Sequence, residues 1–421
     1  MDLSRRDCLR LGALAGLSAL IPSWLTAGDP PPIAAGAAGG RARRLIWLYM
    51  AGGMSHLDTF DPKPGRPEQG PTGTVASGVD GVQLSEHLPR VAKQLHRCAL
   101  LRSVTSTQGA HEQGEYLMRT GYTARGTVQH PCTASWLSLH LGKGNPTLPS
   151  VVAISPGSRH PGAGFLEGVH APVPLGDPSA GLPYIRRPDG VTVSRQQARL
   201  AMLAKQDASF VTAYDARAVR AIADMHGEAV KLMEAKDLAA FDLSKERSDV
   251  LAAYGDTGFG RGCCLARRLI EHDVRAVEVN LGGWDTHADN FDRVETQAGI
   301  LDAGLSALLE DLDRRGLLDE TLVVLASEFG RTPTINQNQG RDHYPKCFTV
   351  LMAGGGVRGG RIHGASDERG AAPARDPVHI PDITATVAYA CGVPIDRIHH
   401  APDGRPFTIA DKGRPVTALF A

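Results

Sequence analysis

Acidic and imidazole side chains recur in short loops of the second half of the chain. Asp285 and His287 stand two residues apart after the pair Gly282 and Gly283, so both side chains can face one cation. A carboxylate beside an imidazole suits Zn, Mn or Fe, whereas Ca²⁺ favours a larger set of oxygen ligands. Taken alone, the segment is equally compatible with a loop stabilised by an aspartate turn and followed by a surface histidine.

A second region carries the same residue types. Glu328 follows the apolar run 321–326, and Asp342 and His343 lie in the loop before the apolar run 348–352. Ligands of parallel α/β sheets collect at the carboxyl edge of the strands. The sequence therefore predicts a divalent-metal site at this edge, and its candidate ligands are Asp285, His287, Glu328, Asp342 and His343.

His56 and Asp58 follow the first apolar run, residues 44–50. A serine at position 55 completes the residue types of a catalytic triad, but a triad is defined by geometry and its members are rarely neighbours in sequence. We interpret His56 and Asp58 as residues that line the site or bind its metal. The alternative interpretation is a pair of structural turn residues.

His111 begins a stretch, 111–119, that is predicted to be helical and that follows the polar residues 105–107. An imidazole at this place can act as a nucleophile, as a general acid or base, or as a metal ligand. The free backbone N–H groups of a helix start also suit an anion. Arg331 and Arg341 can hold an anionic ester through paired hydrogen bonds, and ordinary salt bridges within their loops are the alternative.

Strands and helices must position these side chains. Apolar runs that bear polar residues only at their carboxyl ends are typical of a parallel sheet, and apolar residues at helical spacing predict helices. The patterns predict an α/β fold with a mixed, mainly parallel central sheet. The predicted strands are 45–50, 100–104, 277–281, 322–326 and 348–352, and the predicted helices include 84–95, 290–315 and 382–391, the last capped by Asp382.

Composition excludes some classes of function. The chain has 421 residues, of which 45 are Lys or Arg and 45 are Asp or Glu, so it has no excess of positive charge for binding nucleic acid. The cysteines after Cys8 lack zinc-ribbon spacing, and the adjacent Cys263 and Cys264 are poor disulfide partners. We expect these cysteines to be buried as small apolar residues.

The N-terminus has the pattern of an export signal. Arg5 and Arg6 precede an apolar run at 11–25, which resembles a twin-arginine signal. We expect residues 1–40 to be a signal and linker, the twin-arginine export machinery to be a partner, and the mature protein to be periplasmic or secreted, with no stable membrane span. A short uncleaved membrane anchor is the alternative. Residues 41–421 then form one domain, in which the charged helical stretch 194–260 is an insertion or flank.

Four motifs carry a resemblance to a known family. They are MAGGMSHLD at 50–58, GWDTH at 283–287, SEFGRTP at 327–333 and GRDH at 340–343. Together they resemble the exported bacterial family called domain of unknown function 1501, within the alkaline phosphatase/sulfatase-like superfamily. The resemblance implies a three-layer alkaline-phosphatase-like fold. It also implies a metal-dependent, hydrolase-like protein that acts on a phosphate, sulfate or related anionic ester, with a small anionic or glycan substrate.

The chain departs from this superfamily at three places. Gly52 and Gly53 stand where the first strand of the superfamily ends in a metal-binding aspartate, and Glu328 stands where an Asp-His pair is expected. The nucleophile position falls on His111 rather than on Ser, Thr or Cys, and the lack of a Cys-x-Pro-x-Arg sequence excludes a formylglycine sulfatase. Two classes of function stay open: a metal-dependent ester hydrolase, and a degenerate member that binds an anionic or glycan ligand, or a partner protein, without turnover.

Overall fold

The apolar runs form the strands of one central sheet. The computed structural model describes residues 40–420, apart from residues 183, 184, 186, 188, 215 and 216. Within these residues the sheet has nine strands, which are β1 (Arg44–Met50), β2 (Cys98–Thr105), β3 (Val151–Ile154), β4 (Val173–Leu175), β5 (Ala276–Leu281), β6 (Thr321–Ala326), β7 (Phe348–Ala353), β8 (Arg361–His363) and β9 (Val378–His379).

Most strands of this sheet run in parallel. Their order is β8-β2-β7-β6-β1-β5-β3-β4, and β9 also pairs with β2. Among the described pairs, β7 is antiparallel to its neighbours β2 and β6, and the remaining pairs are parallel. The prediction of an α/β fold with a mixed, mainly parallel sheet is confirmed, and every strand named in it is present.

Helices cover both faces of the sheet, which gives the domain three layers. They are α1 (Pro89–Lys93), α2 (His111–Thr120), α3 (Thr133–Leu141), α4 (Val193–Ala213), α5 (Arg217–Glu234), α6 (Ser248–Tyr254), α7 (Gly258–Glu271), α8 (Asn290–Arg314) and α9 (Ile380–Ala390). Short 3-10 helices lie at Pro67–Gln69, Leu95–Arg97, Gly168–His170, Lys236–Phe241, Leu243–Lys245, Leu318–Glu320 and Thr417–Leu419.

Antiparallel strand pairs outside the central sheet shape its loops. They join Thr74–Ala76 to Gln83–Ser85, Gly330–Arg331 to His343–Tyr344, Ala365–Ser366 to Pro373–Arg375, and His399–His400 to Pro406–Phe407. The second of these pairs is important for the site described below, because it brings the loop after β6 back against the loop before β7.

The central strand β1 is buried on both faces. Ile46 and Leu48 belong to one hydrophobic cluster, which includes residues of α7 and α8, whereas Leu45 and Trp47 belong to a second cluster, which includes residues of α2, α3 and α9. Successive side chains of a strand point to opposite faces of the sheet. A strand covered by helices on both faces must therefore be apolar at nearly every position, which is why β1 is a continuous apolar run.

Two of the predicted helices are wrong in their bounds. Residues 84–95 do not form one helix: Gln83–Ser85 is a strand, and α1 begins only at Pro89. Proline favours the first position of a helix and disfavours helical backbone in the residue before it, so the helix cannot extend backwards past this point. At the other helix, α9 begins at Ile380, and Asp382 is the third helical residue, whose carboxylate accepts a hydrogen bond from the backbone of His379.

The helical flank predicted at 194–260 corresponds to α4, α5 and α6, with breaks between them. The predicted export signal lies in residues 1–39, outside the described residues. None of the helices in the described part of the chain combines the length and the hydropathy needed to cross a bilayer. The cysteines from Cys98 to Cys391 are buried and free, as expected from their spacing.

Candidate metal centre

The loops that follow β1, β5 and β6 begin side by side at one edge of the sheet. In the register of the sheet, Met50 pairs with Leu281, and Tyr49 pairs with Ala326. Gly52 then packs directly on the loop after β5: a Cβ atom at this position would lie 2.5 Å from the backbone nitrogen of Asp285. Its φ of +117° also disfavours other residues. Glycine is thus required here for the loops to meet.

Asp285 is the point on which three imidazoles converge. The Nε2 atoms of His287 and His343 lie 3.1 and 3.3 Å from Asp285 Oδ1, and the Nε2 atom of His111 lies 3.4 Å from Oδ2. Partial burial acts to raise the pKa of Asp285, but the hydrogen bond from Arg331 and the nearby imidazoles outweigh it and lower that pKa to about 2. Asp285 is therefore ionised at neutral pH.

The second nitrogen of each imidazole is held by an acceptor. Nδ1 of His111 lies 2.7 Å from Glu328 Oε1, and Nδ1 of His287 lies 2.7 Å from Asp342 Oδ1. Nδ1 of His343 lies 2.9 Å from the carbonyl oxygen of Gly109. Ionised carboxylates and carbonyls only accept hydrogen bonds, so each Nδ1 carries the proton. In the neutral rings, each Nε2 then directs a lone pair towards Asp285.

Three Nε2 atoms that face one ionised carboxylate call for positive charge, which either a proton on the rings or a shared cation can supply. Ligand atoms of His111, Asp285 and His343 all lie within 4.8 Å of one another. Nε2 of His111 is buried and has no hydrogen-bond partner. Two imidazole nitrogens and a carboxylate oxygen match the ligand types that Zn²⁺, Mn²⁺ and Fe²⁺ accept, and histidine ligands commonly donate their other ring N–H to a carboxylate or carbonyl. The residues of this cluster therefore fit a divalent metal.

Glu328 holds His111 instead of offering a free carboxylate. Its Oε1 atom accepts hydrogen bonds from Gly52 N at 2.8 Å and from His111, and its Oε2 atom accepts from Tyr49 Oη at 3.0 Å and Ser327 Oγ at 3.2 Å. Burial acts to raise the pKa of Glu328, but the hydrogen bonds from His111 and from backbone N–H groups, together with the charge of His111, outweigh it and lower the pKa.

Glu328 also lies in a second group of close ligand atoms, with His111 and Glu115. The hydrogen bonds favour a positioning role, because both oxygens of the carboxylate already accept from protein donors. This differs from the prediction that Glu328 binds the metal: the structure supports a positioning role for it.

Asp342 has a similar role towards His287. Its carboxylate is exposed and accepts hydrogen bonds from His287 and, at 3.3 Å, from Asn336. The hydrogen bond from His287 lowers the pKa of Asp342, so it stays ionised and keeps the His287 proton on Nδ1. The structure thus brings both His287 and Asp342 to the site. His287 faces Asp285, and Asp342 lies behind His287.

Arg331 binds Asp285 and has no exposed surface. One terminal nitrogen donates to Asp285 Oδ1 at 2.6 Å and also to the carbonyl of Gly52, while Nε donates to the carbonyl of Gly53 at 2.8 Å. The other terminal nitrogen donates to the carbonyl of Arg341 at 3.0 Å, and the side chain is 0% exposed. This differs from the prediction that Arg331 holds an ester, because its donors are directed into the protein.

Arg341 and Asp58 form a buried ion pair beneath the site. Nε of Arg341 lies 2.8 Å from Asp58 Oδ2, and both side chains are 0% exposed. The remaining donors of Arg341 bind Asp58 Oδ1 and the carbonyls of Glu68, Thr332 and Pro333. All five N–H donors of the guanidinium are thus used. The predictions of a substrate-binding Arg341 and a metal-binding Asp58 do not match this arrangement.

Asp58 connects the loops instead. Its Oδ2 atom also accepts hydrogen bonds from Ser55 Oγ at 2.5 Å and Asn290 Nδ2 at 3.0 Å. His56 is fully buried, and its Nε2 atom lies 2.8 Å from the carbonyl oxygen of Gly370. Burial lowers the pKa of His56, which favours the neutral ring. Neither His56 nor Asp58 belongs to a group of close ligand atoms in the described residues, and both match the alternative interpretation as structural residues.

Sequence reasoning missed several groups that shape this site. Tyr49 and the carbonyl of Gly109 each bind a residue of the cluster. Glu115 lies one helical turn after His111 and contributes to the second group of ligand atoms. The four-residue spacing on a predicted helix was a usable signal for Glu115, because residues four apart lie on the same helix face.

The fold and the site together define an α/β protein with a candidate metal centre at the carboxyl edge of its sheet. The chain belongs to the family described as "Protein of unknown function (DUF1501)", whose model matches residues 42–420. The predicted family is therefore confirmed. A search of curated proteins found no match to this sequence.

Among solved structures, the chain is similar to members of the alkaline phosphatase and sulfatase group. With the PsFucS1 sulfatase from Pseudoalteromonas sp. it shares 13% identity, covering 90% of this chain and 72% of that chain, with a TM-score of 0.42. With the phosphonate monoester hydrolase SpPMH from Silicibacter pomeroyi it shares 11% identity, covering 90% of this chain and 76% of that chain, with a TM-score of 0.35. With the lipoteichoic acid synthase LtaP from Listeria monocytogenes it shares 8% identity, covering 85% of this chain and 74% of that chain, with a TM-score of 0.39.

Proposed function

We propose that the protein is a metal-dependent hydrolase that acts on a phosphate, sulfate or related anionic ester. The observation that carries this proposal is the convergence of His111 and His343 on Asp285, with the Nδ1 atom of each histidine already bound by an acceptor. Imidazoles fixed in this way are prepared to bind a cation through Nε2.

The three residues would hold a divalent metal, with Zn, Mn or Fe better matched than Ca by their nitrogen content. A metal held there would supply Lewis-acid chemistry and a water of pKa ~7, so the reaction would not need a Ser, Thr or Cys nucleophile. His111 then serves as a ligand, which leaves the proton transfers of the reaction to another group.

His287 is suited to those proton transfers. Its side chain is 46% exposed, so a substrate can reach the ring, and Nε2 lies 3.1 Å from Asp285. Asp342 accepts the proton on Nδ1 and stabilises the imidazolium that forms when Nε2 takes up a second proton. In this proposal His287 accepts a proton from the attacking water and donates it to the leaving group.

The proposal includes export through the twin-arginine pathway, supported by Arg5 and Arg6 before the apolar run 11–25. Export in the folded state allows the metal to be loaded before the protein leaves the cytoplasm. Replacing both arginines by lysine keeps the charge but removes the recognised pair, so folded protein should stay in the cytoplasm. Unchanged export of this double variant contradicts the assignment.

Metal content and turnover test the enzyme directly. Protein purified from its native export route should carry a transition metal at near-stoichiometric level. The same protein should hydrolyse at least one member of a panel of phosphate monoesters, phosphate diesters and sulfate esters, and chelation should abolish that activity. Tight binding of an anionic ligand with no hydrolysis by metal-loaded protein overturns the enzyme and leaves a binding protein.

A further inference from the structure

An anionic ester needs a positive side chain to hold its charged oxygens, and the arginines of the site core are already occupied. Arg331 and Arg341 are both 0% exposed and direct their donors to protein groups. Arg119 is 2% exposed and pairs with Glu278 at 3.0 Å and with Glu115 at 3.3 Å. None of these three guanidinium groups can turn to a substrate without breaking a buried ion pair or buried hydrogen bonds.

Arg159 is differently placed. Its side chain is 55% exposed, and its NH1 atom lies 3.9 Å from Glu115 Oε1, beyond hydrogen-bond distance. A carboxylate oxygen of Glu115 lies within 4.8 Å of a ring nitrogen of His111. Arg159 thus lies one residue beyond His111, with Glu115 between them, and its guanidinium is exposed to solvent. Exposed ion pairs at this distance contribute little stability, so a ligand can replace Glu115 as its partner.

The chain around Arg159 is fixed even though its side chain is exposed. The neighbouring His160 has Nε2 3.2 Å from Glu278 Oε2, and its Nδ1 atom accepts the backbone N–H of Gly162 at 3.0 Å. The carbonyl of Gly162 accepts a hydrogen bond from Cys132 N at 3.0 Å. Glu115 is kept in place by Arg119 whether or not Arg159 contacts it. A guanidinium on an anchored backbone loses less freedom on binding than one on a mobile loop.

Helix α2 adds a second source of positive potential near His111. Its N-cap is Ala110, which has no side-chain oxygen, so no side chain caps the first-turn amides. The N-terminal end of a ten-residue helix also carries a partial positive charge. The positive potential of this helix start and the charge of Arg159 both favour an anion near His111.

We propose that Arg159 forms an anion-binding subsite on the Glu115 side of His111, where it holds the non-bridging oxygens of a phosphate or sulfate group. The subsite rests on the proposed function, because it gives the ester hydrolase its missing charge partner. It also narrows the substrate class: the ester must carry at least one ionised oxygen besides the scissile bond, so neutral carboxylic esters are excluded as good substrates.

Binding of inorganic phosphate and of sulfate to metal-loaded protein, measured by calorimetry, tests this subsite. Arg159→Ala should raise the Kd of the better-bound ion by about 10- to 100-fold, the range for losing a hydrogen bond to a charged group. Arg159→Lys should recover part of the affinity, since it keeps the charge but not the paired donors. Arg247→Ala, at an arginine that is 77% exposed and outside the cluster, is the matched control and should change nothing.

Metal content separates this inference from the proposed function. If wild-type protein binds metal and hydrolyses an ester, Arg159→Ala should raise KM more than it lowers kcat, with metal content unchanged. An equal Kd in wild type and Arg159→Ala overturns the subsite even when turnover is present, and so does wild-type protein that binds neither ion. Weaker phosphate binding by Arg159→Ala in a protein without metal or turnover keeps the subsite and rejects the hydrolase.

Discussion

The carboxylate of Glu328 and the imidazole of His111 are joined by a hydrogen bond of 2.7 Å between Oε1 and Nδ1. This contact decides which nitrogen of His111 is free. Because the buried carboxylate holds the proton on Nδ1, Nε2 is the nitrogen that can bind a cation, and it faces Asp285. The pKa of His111 is raised by this hydrogen bond, although partial burial opposes the increase.

Glu328→Gln should weaken metal binding by roughly 10- to 100-fold, the usual cost of losing a group that orients a metal-binding histidine. In one orientation the amide NH₂ of the glutamine would face the donors Tyr49 Oη and Ser327 Oγ, and in the other it would face the donor His111. In either orientation two donors would face each other. Competition with a chelator of known affinity measures the change. Glu320→Gln, at a glutamate that is 44% exposed, is the control. Equal affinity in the two variants contradicts the positioning role.

His111→Ala and His287→Ala should have different effects. The first removes a ligand of the cluster, so metal content measured by elemental analysis should fall strongly. The second should keep the metal and lower kcat by roughly 10²–10⁴-fold, as expected for a general acid/base. His400→Ala, at an exposed histidine, is the control for both. Loss of metal in His287→Ala assigns that residue as a ligand instead.

Arg341→Met should destabilise the protein by about 3–5 kcal/mol, because Asp58 is left as a buried carboxylate without its cation. Denaturant unfolding of the metal-free protein measures this cost apart from metal binding. Arg375→Met, at an arginine that is 67% exposed, should cost less than 1 kcal/mol by the same method, since exposed ion pairs contribute roughly 0–1 kcal/mol. Similar stability of the two variants contradicts the buried pair.

Glu278 predicts an acid-sensitive contribution to stability. Its burial acts to raise its pKa, but Arg119 and His160 outweigh it and lower that pKa from 4.5 to about 2. A group with a lowered pKa stabilises the folded state above its unfolded pKa, and this stabilisation is lost as the pH falls. Wild type should therefore lose stability between pH 4.5 and about 2.

The measurement is Tm against pH for wild type and Glu278→Gln. The variant should melt at a lower temperature at pH 7, and the difference should shrink as the pH approaches 2. A constant difference across this range assigns the effect to packing instead of charge.

The sequence allowed the sheet to be predicted because a strand buried on both faces is apolar throughout, as β1 and β6 are. It also located the edge at which Asp285 and His287 meet His343. Propensity could not separate helix from strand at Gln83–Ser85, where pairing with Thr74–Ala76 decides the structure.

The roles within the site were harder to predict, for a physical reason. Whether a carboxylate binds metal or positions a histidine depends on what its other lone pairs accept, and those partners are distant in sequence. Arg341 and Asp58 are 283 residues apart, so neither reveals that the other will neutralise it. The same holds for Glu328, whose partners Tyr49 and Gly52 belong to the opposite end of the chain.

Gly52 and Gly53 also limit which side chains the end of β1 can carry. A Cβ atom at Gly52 would lie 2.5 Å from Asp285 N, and one at Gly53 would lie 2.6 Å from the ring of Phe329. A carboxylate ligand therefore cannot be introduced at either position by a single substitution. The loop that carries Asp285 occupies the space at Gly52, and the ring of Phe329 occupies the space at Gly53. Any new ligand at this end of β1 requires one of these neighbours to move first, so the metal chemistry of this edge is left to the loops after the other strands.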